Sequence, residues 1–382
     1  MIRGFRNSDI YLYRRGIVHT DLLLDEKGRI KAIGEEARSE DAIEVSSGQI
    51  VVPGFIDEHI HGSDGADAMD AKRESLEKIA TSLPQDGVTS FCFTTMTMKK
   101  EKILSALKEI NNYFDNPVEE SEALGIHVEG PFISRAHCGA QNPVDILDLD
   151  EDFLIEMIQA SGDHIKEITL AYQDGHDVFF HLLREHGITI SIGHSDNSYE
   201  QTERAFLSGV TCGTHMFNAM RKFQHRDVGV IGALLLNEDA YCELICDLHH
   251  VSKEAIEVLY RLKGKEKIVL VTDSMEAKHM KNGTYALGGQ DVFVHDGVAT
   301  LRDGTLAGSV LCMNKAVRNI RNVLSLSLID AIDMASVNPA KNLNVFQRKG
   351  SIEIGKDGDF AIIDSDVNVY QTYVKGNKVY QR

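Results

Sequence analysis

The feature that most constrains the fold is a repeated alternation of β-type runs with amphipathic segments through the middle of the chain. Apolar residues recur at helical spacing in segments such as 73–83, 99–114, 150–160, 198–208 and 252–262. Eight β/α units over about this length are typical of an α/β fold of the (β/α)8 barrel type, in which parallel strands close into a ring. The predicted strands lie near 54–60, 88–93, 124–129, 167–171, 188–193, 210–214, 242–247 and 268–273.

Both ends of the chain have a different pattern from the middle. Residues 1–52 and 345–382 contain short alternating apolar and polar runs separated by turn residues, without helical periodicity. Because chain ends of a domain often lie close together, we expect these two segments to form one small β-sandwich domain. Residues 53–344 form the barrel domain, and 274–310 is a hairpin insertion after the eighth strand that lies over the barrel mouth.

The charge balance excludes some partners. The chain has 58 acidic and 40 basic residues, a formal charge of -18, which repels nucleic acid and anionic membranes. The first residues lack the apolar run of a secretion signal, and the six cysteines include no Cys-x-x-Cys pair. We therefore expect a cytoplasmic protein with reduced cysteines that binds neither nucleic acid nor membrane.

The first predicted strand ends in "GFIDEHIHG", residues 54–62, where two histidines stand two positions apart. In an extended strand, residues i and i+2 point to the same side, so His59 and His61 can present both imidazoles to one metal ion. Taken alone, such a pair is more often two histidines at a strand end that are solvated or satisfied in the core. Ligand candidates elsewhere in the sequence are needed to distinguish these alternatives.

Possible metal ligands follow five of the eight predicted strands. In a parallel barrel the functional residues lie at the carboxyl ends of the strands. We therefore expect these side chains to lie close together at that end of the barrel. Four imidazoles and two carboxylates are ligands suited to a catalytic zinc or a similar divalent ion. The six are His59, His61, Glu129, His194, His215 and Asp273.

Simpler roles exist for several of the polar residues. Asp273 could be a helix cap, since "TDS" would also begin a helix. His127 could be a satisfied core histidine or could support a ligand, and the roles of His225 and His250 stay open. Other histidines stand in helical or turn contexts and are interpreted as solvated: His19, His164, His176, His181, His186, His279 and His295.

Six motifs carry a resemblance to a known family. They are "PGFIDEHIHG", "HVEGPF", "IGHS", "THMFNAM", "VTDSM" and "LAGSVLCMNKAVRN". Together they resemble the amidohydrolase superfamily and, within it, the N-acetylglucosamine-6-phosphate deacetylases, over about Pro53 to Asn338. The resemblance implies hydrolysis of N-acetyl-D-glucosamine 6-phosphate to D-glucosamine 6-phosphate and acetate, in amino-sugar catabolism or recycling.

The resemblance also implies a ligand set. Glu129, His194 and His215 would hold the principal divalent metal, zinc in first place, with iron, manganese or cobalt as alternatives. His59 and His61 would add a second ion that shares Glu129, giving one or two ions per subunit. Such an ion lowers the pKa of water toward about 7, and Asp273 would take the proton of that water and pass it to the departing amine.

The substrate contacts are likewise implied by the resemblance. Backbone N–H groups of Asn218 and Ala219, the imidazole of His249 and the guanidinium of Arg226 would bind the phosphate. Arg226 would come from the neighbouring subunit of a homodimer. At the sugar, the resemblance implies a histidine where this chain has Gln141, and the segment Ala307, Gly308 and Ser309 would close over the acetyl group.

Two other functions compete with this interpretation. A different amidohydrolase, of the D-aminoacylase or deaminase type, would share the histidine pair and the final aspartate but would not require a phosphate pocket. A non-catalytic barrel used as an assembly scaffold is disfavoured, because all six ligand positions are retained.

Overall fold

Eight parallel strands lie side by side in chain order at the centre of the computed structural model, which describes residues 1–382. They match the eight predicted strands in number and place. Their side chains are nearly all buried, as expected for a parallel sheet covered by helices. The barrel strands are β1 (Phe55–Ile60), β2 (Val88–Thr95), β3 (Glu122–Glu129), β4 (Ile165–Leu170), β5 (Thr189–Ile192), β6 (Val210–Gly213), β7 (Tyr241–Ile245) and β8 (Ile268–Val271).

The last strand returns to the first and nearly closes the ring. The backbone N–H of Asp273 donates to the carbonyl of His59 at 2.9 Å, and the N–H of His61 donates to the carbonyl of Ser274 at 2.9 Å. These bonds join the carboxyl ends of β8 and β1, where the predicted ligands lie. The prediction of a (β/α)8 barrel is confirmed.

Strand β1 contains a bulge close to the histidine pair. Asp57 pairs with Phe91 and Ile60 pairs with Phe93, so β1 has one more residue than its partner across this step. A bulge bends the strand and changes the direction of the side chains within it. The bulge therefore contributes to how His59 is aimed, which strict alternation along the strand does not predict.

Helices cover the outside of the barrel, and one cluster of 70 buried residues joins them to the strands. Local sequence fixes their ends, as in the fifth helix, where Ser198 and Gln201 form a capping box and Gly209 ends the helix at φ 110°. The helices are α1 (Arg73–Ser82), α2 (Lys100–Asp115), α3 (Glu151–Ala160), α4 (Asp177–Glu185), α5 (Tyr199–Ser208), α6 (Gly229–Leu236), α7 (Lys253–Lys263), α8 (Met313–Leu324), α9 (Leu328–Asp333) and α10 (Val337–Asn342).

The two ends of the chain meet in one seven-stranded sheet. Phe360 pairs with Pro53 in antiparallel register, which joins the C-terminal strands to the N-terminal ones. The sequence predicts a small β-sandwich domain built from both termini; both termini do join in one β-domain, and its seven strands form a single hydrogen-bonded sheet. The boundaries 1–52, 53–344 and 345–382 stay a prediction. In sheet order, the strands are Asn377–Gln381, Val369–Val374, Phe360–Ile363, Ile50–Pro53, Gly4–Leu12, Gly16–Leu24 and Ile30–Ile33.

The insertion after β8 is a three-stranded antiparallel sheet, one strand more than the predicted hairpin. Its strands are Gly283–Leu287, Gln290–His295 and Val298–Thr300. The remaining elements are a two-stranded ribbon, Gly62–Ser63 with Ala66–Asp67, and 3-10 helices at Glu35–Ala37, Ala68–Asp70, Leu83–Asp86 and Arg135–His137.

No helix in the structure has both the length and the apolar character required to cross a lipid bilayer.

Candidate metal centre

Glu129 and two histidines form a compact group at the barrel mouth. Glu129 is the last residue of β3, and His194 and His215 follow β5 and β6. Oε1 of Glu129 lies 3.1 Å from Nε2 of His194 and 3.1 Å from Nε2 of His215, and the two nitrogens lie 3.1 Å apart. Two imidazole nitrogens and one carboxylate oxygen that face one point are suited to one divalent cation.

A second group lies on the other side of Glu129. Nε2 of His61 lies 3.4 Å from Oε2 of Glu129, and Nε2 of His59 lies 3.6 Å from Oε1. Oδ1 of Asp273 lies 3.3 Å from the first of these nitrogens and 3.6 Å from the second. Glu129 therefore stands between two sets of nitrogen and oxygen atoms, each of which could hold an ion.

Three of these residues have a backbone conformation that non-glycine residues rarely adopt. The φ angles are 46° at His194, 30° at His215 and 47° at Asp273. Left-handed conformations of this kind cost about 1–3 kcal/mol per residue and occur preferentially where function requires them. Each follows the end of a barrel strand, so the strained turn directs the side chain into the mouth.

The charges in this group fit a cation. Burial alone would raise the pKa of Glu129, but His194 and His215 outweigh burial and hold the pKa well below its usual value. His59 and His61 lower the pKa of Asp273 in the same way, against burial. Nε2 of His59 is fully buried and has no hydrogen-bond partner, which is rare for a polar atom in a protein interior. The two ionised carboxylates and the free ring nitrogen are ligands suited to a divalent ion.

Buried polar groups bond the candidate ligands on the side that faces away from the cavity. Oε2 of Glu243 accepts a hydrogen bond from Nδ1 of His59 at 3.0 Å, and Nδ1 of His194 donates to the carbonyl of His137 at 3.0 Å. His127 is held between the carbonyl of Glu58 at 3.2 Å and the hydroxyl of Thr169 at 2.7 Å. Both ring nitrogens of His127 are therefore satisfied in the core. The centroid of its ring lies 4.5 Å from that of His59, so His127 also contacts a candidate ligand.

A cavity of about 200 Å³ opens above the ligand candidates, five of which line it. Met96, Leu287 and Leu306 give it an apolar side, and the latter two belong to the insertion or the loop that follows it. A partly apolar lining with a few convergent polar groups is expected of a small-molecule site. Nine of the predicted site residues line it: His61, Glu129, Gln141, His194, His215, Asn218, Ala219, Asp273 and Gly308.

The side chain of Gln141 bonds the candidate metal ligand Glu129, in addition to lining the cavity. It is 2% exposed, its Nε2 donates to Oε2 of Glu129 at 2.8 Å, and its Oε1 accepts from the backbone N–H of Thr97 at 2.9 Å. The loop that follows Glu129 thus returns to bind that residue. Gln141 supports the shared carboxylate while also lining the cavity.

Five predicted residues do not line the cavity of this chain, and one of them, His59, is fully buried beneath it. Ala307 and Ser309 are buried behind it, where the N–H of Ser309 donates to the carbonyl of Asp273 at 2.8 Å. Arg226 is exposed on a loop and borders a separate surface groove. His249 is exposed as well.

Two residues were missed by the sequence analysis. His250, whose role was left open, lines the cavity in the place expected for His249, and its Nδ1 bonds Oδ2 of Asp247 at 2.7 Å. Two adjacent histidines give no sequence signal of which one faces inward. Glu243 was missed because it lies within the apolar run of β7, where a carboxylate is not distinguished as a site residue.

Comparisons with known proteins give a consistent result. The sequence model described as the amidohydrolase family matches residues 50–379. N-acetylglucosamine-6-phosphate deacetylase of Lysinibacillus sphaericus is 42% identical over 353 residues, which cover 91% of this chain and 90% of that protein. The crystal structure of the Thermotoga maritima deacetylase of the same name aligns with a TM-score of 0.89 at 34% identity and 99% coverage of both chains. A variant of the Mycobacterium smegmatis deacetylase, in complex with N-acetyl-D-glucosamine 6-phosphate, aligns with a TM-score of 0.91 at 27% identity and 99% coverage of both chains.

Proposed function

The chain belongs to the amidohydrolase family, and we propose that it hydrolyses the acetamide of N-acetyl-D-glucosamine 6-phosphate to D-glucosamine 6-phosphate and acetate. The observation that carries the proposal is the position of Glu129 between two pairs of histidines at the floor of the cavity, with Asp273 beside it. The curated relatives at 33–42% identity are named as deacetylases of phosphorylated amino sugars, which favours this function over one of the D-aminoacylase or deaminase type.

The residues at the mouth fit one or two divalent ions, and we propose zinc as the native metal. Glu129, His194 and His215 would hold the principal ion, and His59, His61 and the same glutamate would hold the second. A divalent cation held by these residues would supply Lewis acidity, which activates water near neutral pH and polarises a carbonyl group. Iron, manganese and cobalt accept the same nitrogen and oxygen ligands.

Asp273 is the proposed general base. Its Oδ1 lies 3.3 Å from Nε2 of His61 and 3.6 Å from Nε2 of His59, so a cation held by these histidines would keep the carboxylate ionised at neutral pH. It takes a proton from the water that attacks the carbonyl carbon of the acetamide. The C–N bond then breaks, the same carboxyl group gives the proton to the departing amine nitrogen, and acetate and the amino sugar leave.

The phosphate of the substrate needs hydrogen-bond donors, because the net negative charge of the chain would otherwise repel it. The backbone N–H of Ala219 makes no hydrogen bond and borders the cavity, whereas the N–H of Asn218 already donates to the carbonyl of His215 at 3.0 Å. We therefore propose that Ala219 supplies the backbone donor and that His250 replaces His249. The side-chain amide of Asn218 donates to the carbonyls of His215 and Met216, both at 3.2 Å, and would hold the turn that presents Ala219. Asp247 fixes Nδ1 of His250 and leaves Nε2 for the ligand.

Arg226 completes the phosphate site only in an assembly. Since it is exposed and outside this chain's cavity, we propose a homodimer in which the partner subunit's Arg226 binds the phosphate. A guanidinium is suited to this task because its planar fork can hold two phosphate oxygens. We also propose that the dimer works in the cytoplasm, where its six unpaired cysteines stay reduced.

The test is acetate release from N-acetylglucosamine 6-phosphate, its C4 epimer and unphosphorylated N-acetylglucosamine. Turnover of a phosphorylated sugar should far exceed that of the unphosphorylated one. Arg226→Ala should lower kcat/KM for the phosphorylated sugar by roughly 10- to 100-fold, the loss expected for a hydrogen bond to a charged group. Lys222→Ala, an exposed lysine of the same loop, is the matched control. Equal turnover of both forms of the sugar would refute the proposed substrate.

A further inference from the structure

Glu243 is a buried carboxylate that bonds two of the candidate ligands at once. It lies on β7 and is fully buried. A single oxygen, Oε2, accepts from Nδ1 of His59 at 3.0 Å and from the backbone N–H of His215 at 3.0 Å. These two histidines belong to different ligand groups, which meet only at Glu129.

The bond to His59 determines which ring nitrogen faces the centre. With the proton on Nδ1 donated to Glu243, the lone pair of Nε2 points toward the carboxylates of Glu129 and Asp273, each 3.6 Å away. A carboxylate behind a ligand imidazole fixes its tautomer and makes it a stronger donor to a metal.

At the other three ligand histidines, no carboxylate bonds the outer ring nitrogen. His194 is backed by the neutral carbonyl of His137, and Nδ1 of His61 and of His215 has no partner. Glu243 is therefore the one charged group in the structure that bonds the outer nitrogen of a ligand histidine.

The hydrogen bond from Glu243 to His215 holds the backbone N–H of that residue, not its side chain. His215 has a φ of 30°, a left-handed conformation that has to be stabilised by its surroundings. Its N–H is held by the same oxygen that orients His59, so a displacement of Glu243 alters both ligand groups together.

We infer that Glu243 is a positioning residue that couples the two cation sites, by orienting the His59 ring toward one site and the His215 turn toward the other. The inference rests on the proposed metal centre and not on the identity of the sugar.

A zinc titration of metal-free protein, in competition with a chromophoric chelator, tests this inference. Glu243→Gln keeps the size of the side chain and an acceptor oxygen but removes the charge. We expect it to weaken zinc binding by roughly 10- to 100-fold, the usual effect of losing such a supporting group. Both equivalents should weaken, with the larger loss at the site of His59, as located by anomalous diffraction from zinc-loaded crystals.

Glu167→Gln is the matched control. Glu167 is also a fully buried barrel carboxylate, but its oxygens bond neither ligand group. Unchanged affinity in this variant, with a loss in Glu243→Gln, supports the inference. An equal loss in both variants, or wild-type affinity in Glu243→Gln, overturns it.

A further variant covers the case in which Glu243→Gln does not fold. Glu243→Asp keeps the charge but withdraws the oxygen by one methylene, so the same loss of zinc affinity is expected, and wild-type affinity would overturn the inference. Because the titration uses no sugar, inactivity toward the proposed substrate with the expected zinc pattern would refute the substrate and leave the inference intact.

Discussion

Replacing Glu122 by glutamine should destabilise the fold in a way that depends on pH. Glu122 is the first residue of β3, and its side chain is 23% exposed. Three basic residues of the C-terminal segment surround its carboxylate oxygens. The nearest nitrogen–oxygen distances are 2.9 Å for Nη1 of Arg348, 2.7 Å for Nζ of Lys349 and 3.2 Å for Nζ of Lys375. This group ties the amino end of a barrel strand to the segment that forms the terminal sheet.

The magnitude follows from the pKa of Glu122. Burial would raise it, but Lys349 and Arg348 outweigh burial and lower it from 4.5 to about 2. At about 1.4 kcal/mol per pKa unit, the charged form contributes about 3 kcal/mol to the free energy of unfolding. Because the folded-state pKa is depressed, this contribution is present above about pH 5, shrinks to roughly half near pH 3, and vanishes below pH 2.

The assay is urea unfolding of wild type and Glu122→Gln between pH 3 and pH 8, followed by circular dichroism. The difference in the free energy of unfolding should be about 3 kcal/mol at pH 7 and should decrease as the pH falls through 4. Glu119→Gln, an exposed glutamate on the same approach to β3, should change the stability by less than about 0.5 kcal/mol. A difference that is independent of pH, or below about 1 kcal/mol at pH 7, would refute this reasoning.

Two further predictions concern the metal centre. Asp273→Asn removes the proposed base but keeps the shape of the side chain, so kcat should fall roughly 100- to 10,000-fold with little change in KM. Steady-state acetate release measures this effect, and a loss under about tenfold would contradict the role. His61→Ala removes a ligand of the second site only, so the zinc content by mass spectrometry should fall by about one ion per chain. In a wild type that binds two zinc ions per chain, an unchanged zinc content of the variant would show that this histidine is not a ligand.

The barrel could be predicted because its signal is repeated. Buried parallel strands have continuous apolar runs, and the barrel restricts functional side chains to the ends of those strands. Glu129, His194 and His215 could therefore be assigned to one mouth before any geometry was known. Helix α6 carries a weaker signal, since Gly229–Leu236 is apolar on every side and has no helical stripe.

Features that depend on three-dimensional packing could not be predicted. The choice between His249 and His250 depends on how the turn after β7 is directed, and neighbouring residues of the same type carry no information about that. Gln141 turns inward because its loop folds back onto Glu129, a contact across 12 residues of sequence. Glu243 lies within an apolar strand, where only the structure identifies its partners.

Acetate release from N-acetylglucosamine 6-phosphate, measured as zinc is added back to metal-free protein, tests the central claim most directly. The account predicts negligible turnover without metal, a rise that reaches its plateau at one or two zinc ions per chain, and no comparable release from the unphosphorylated sugar. Full turnover in the metal-free protein, or no turnover with the sites filled, would contradict it.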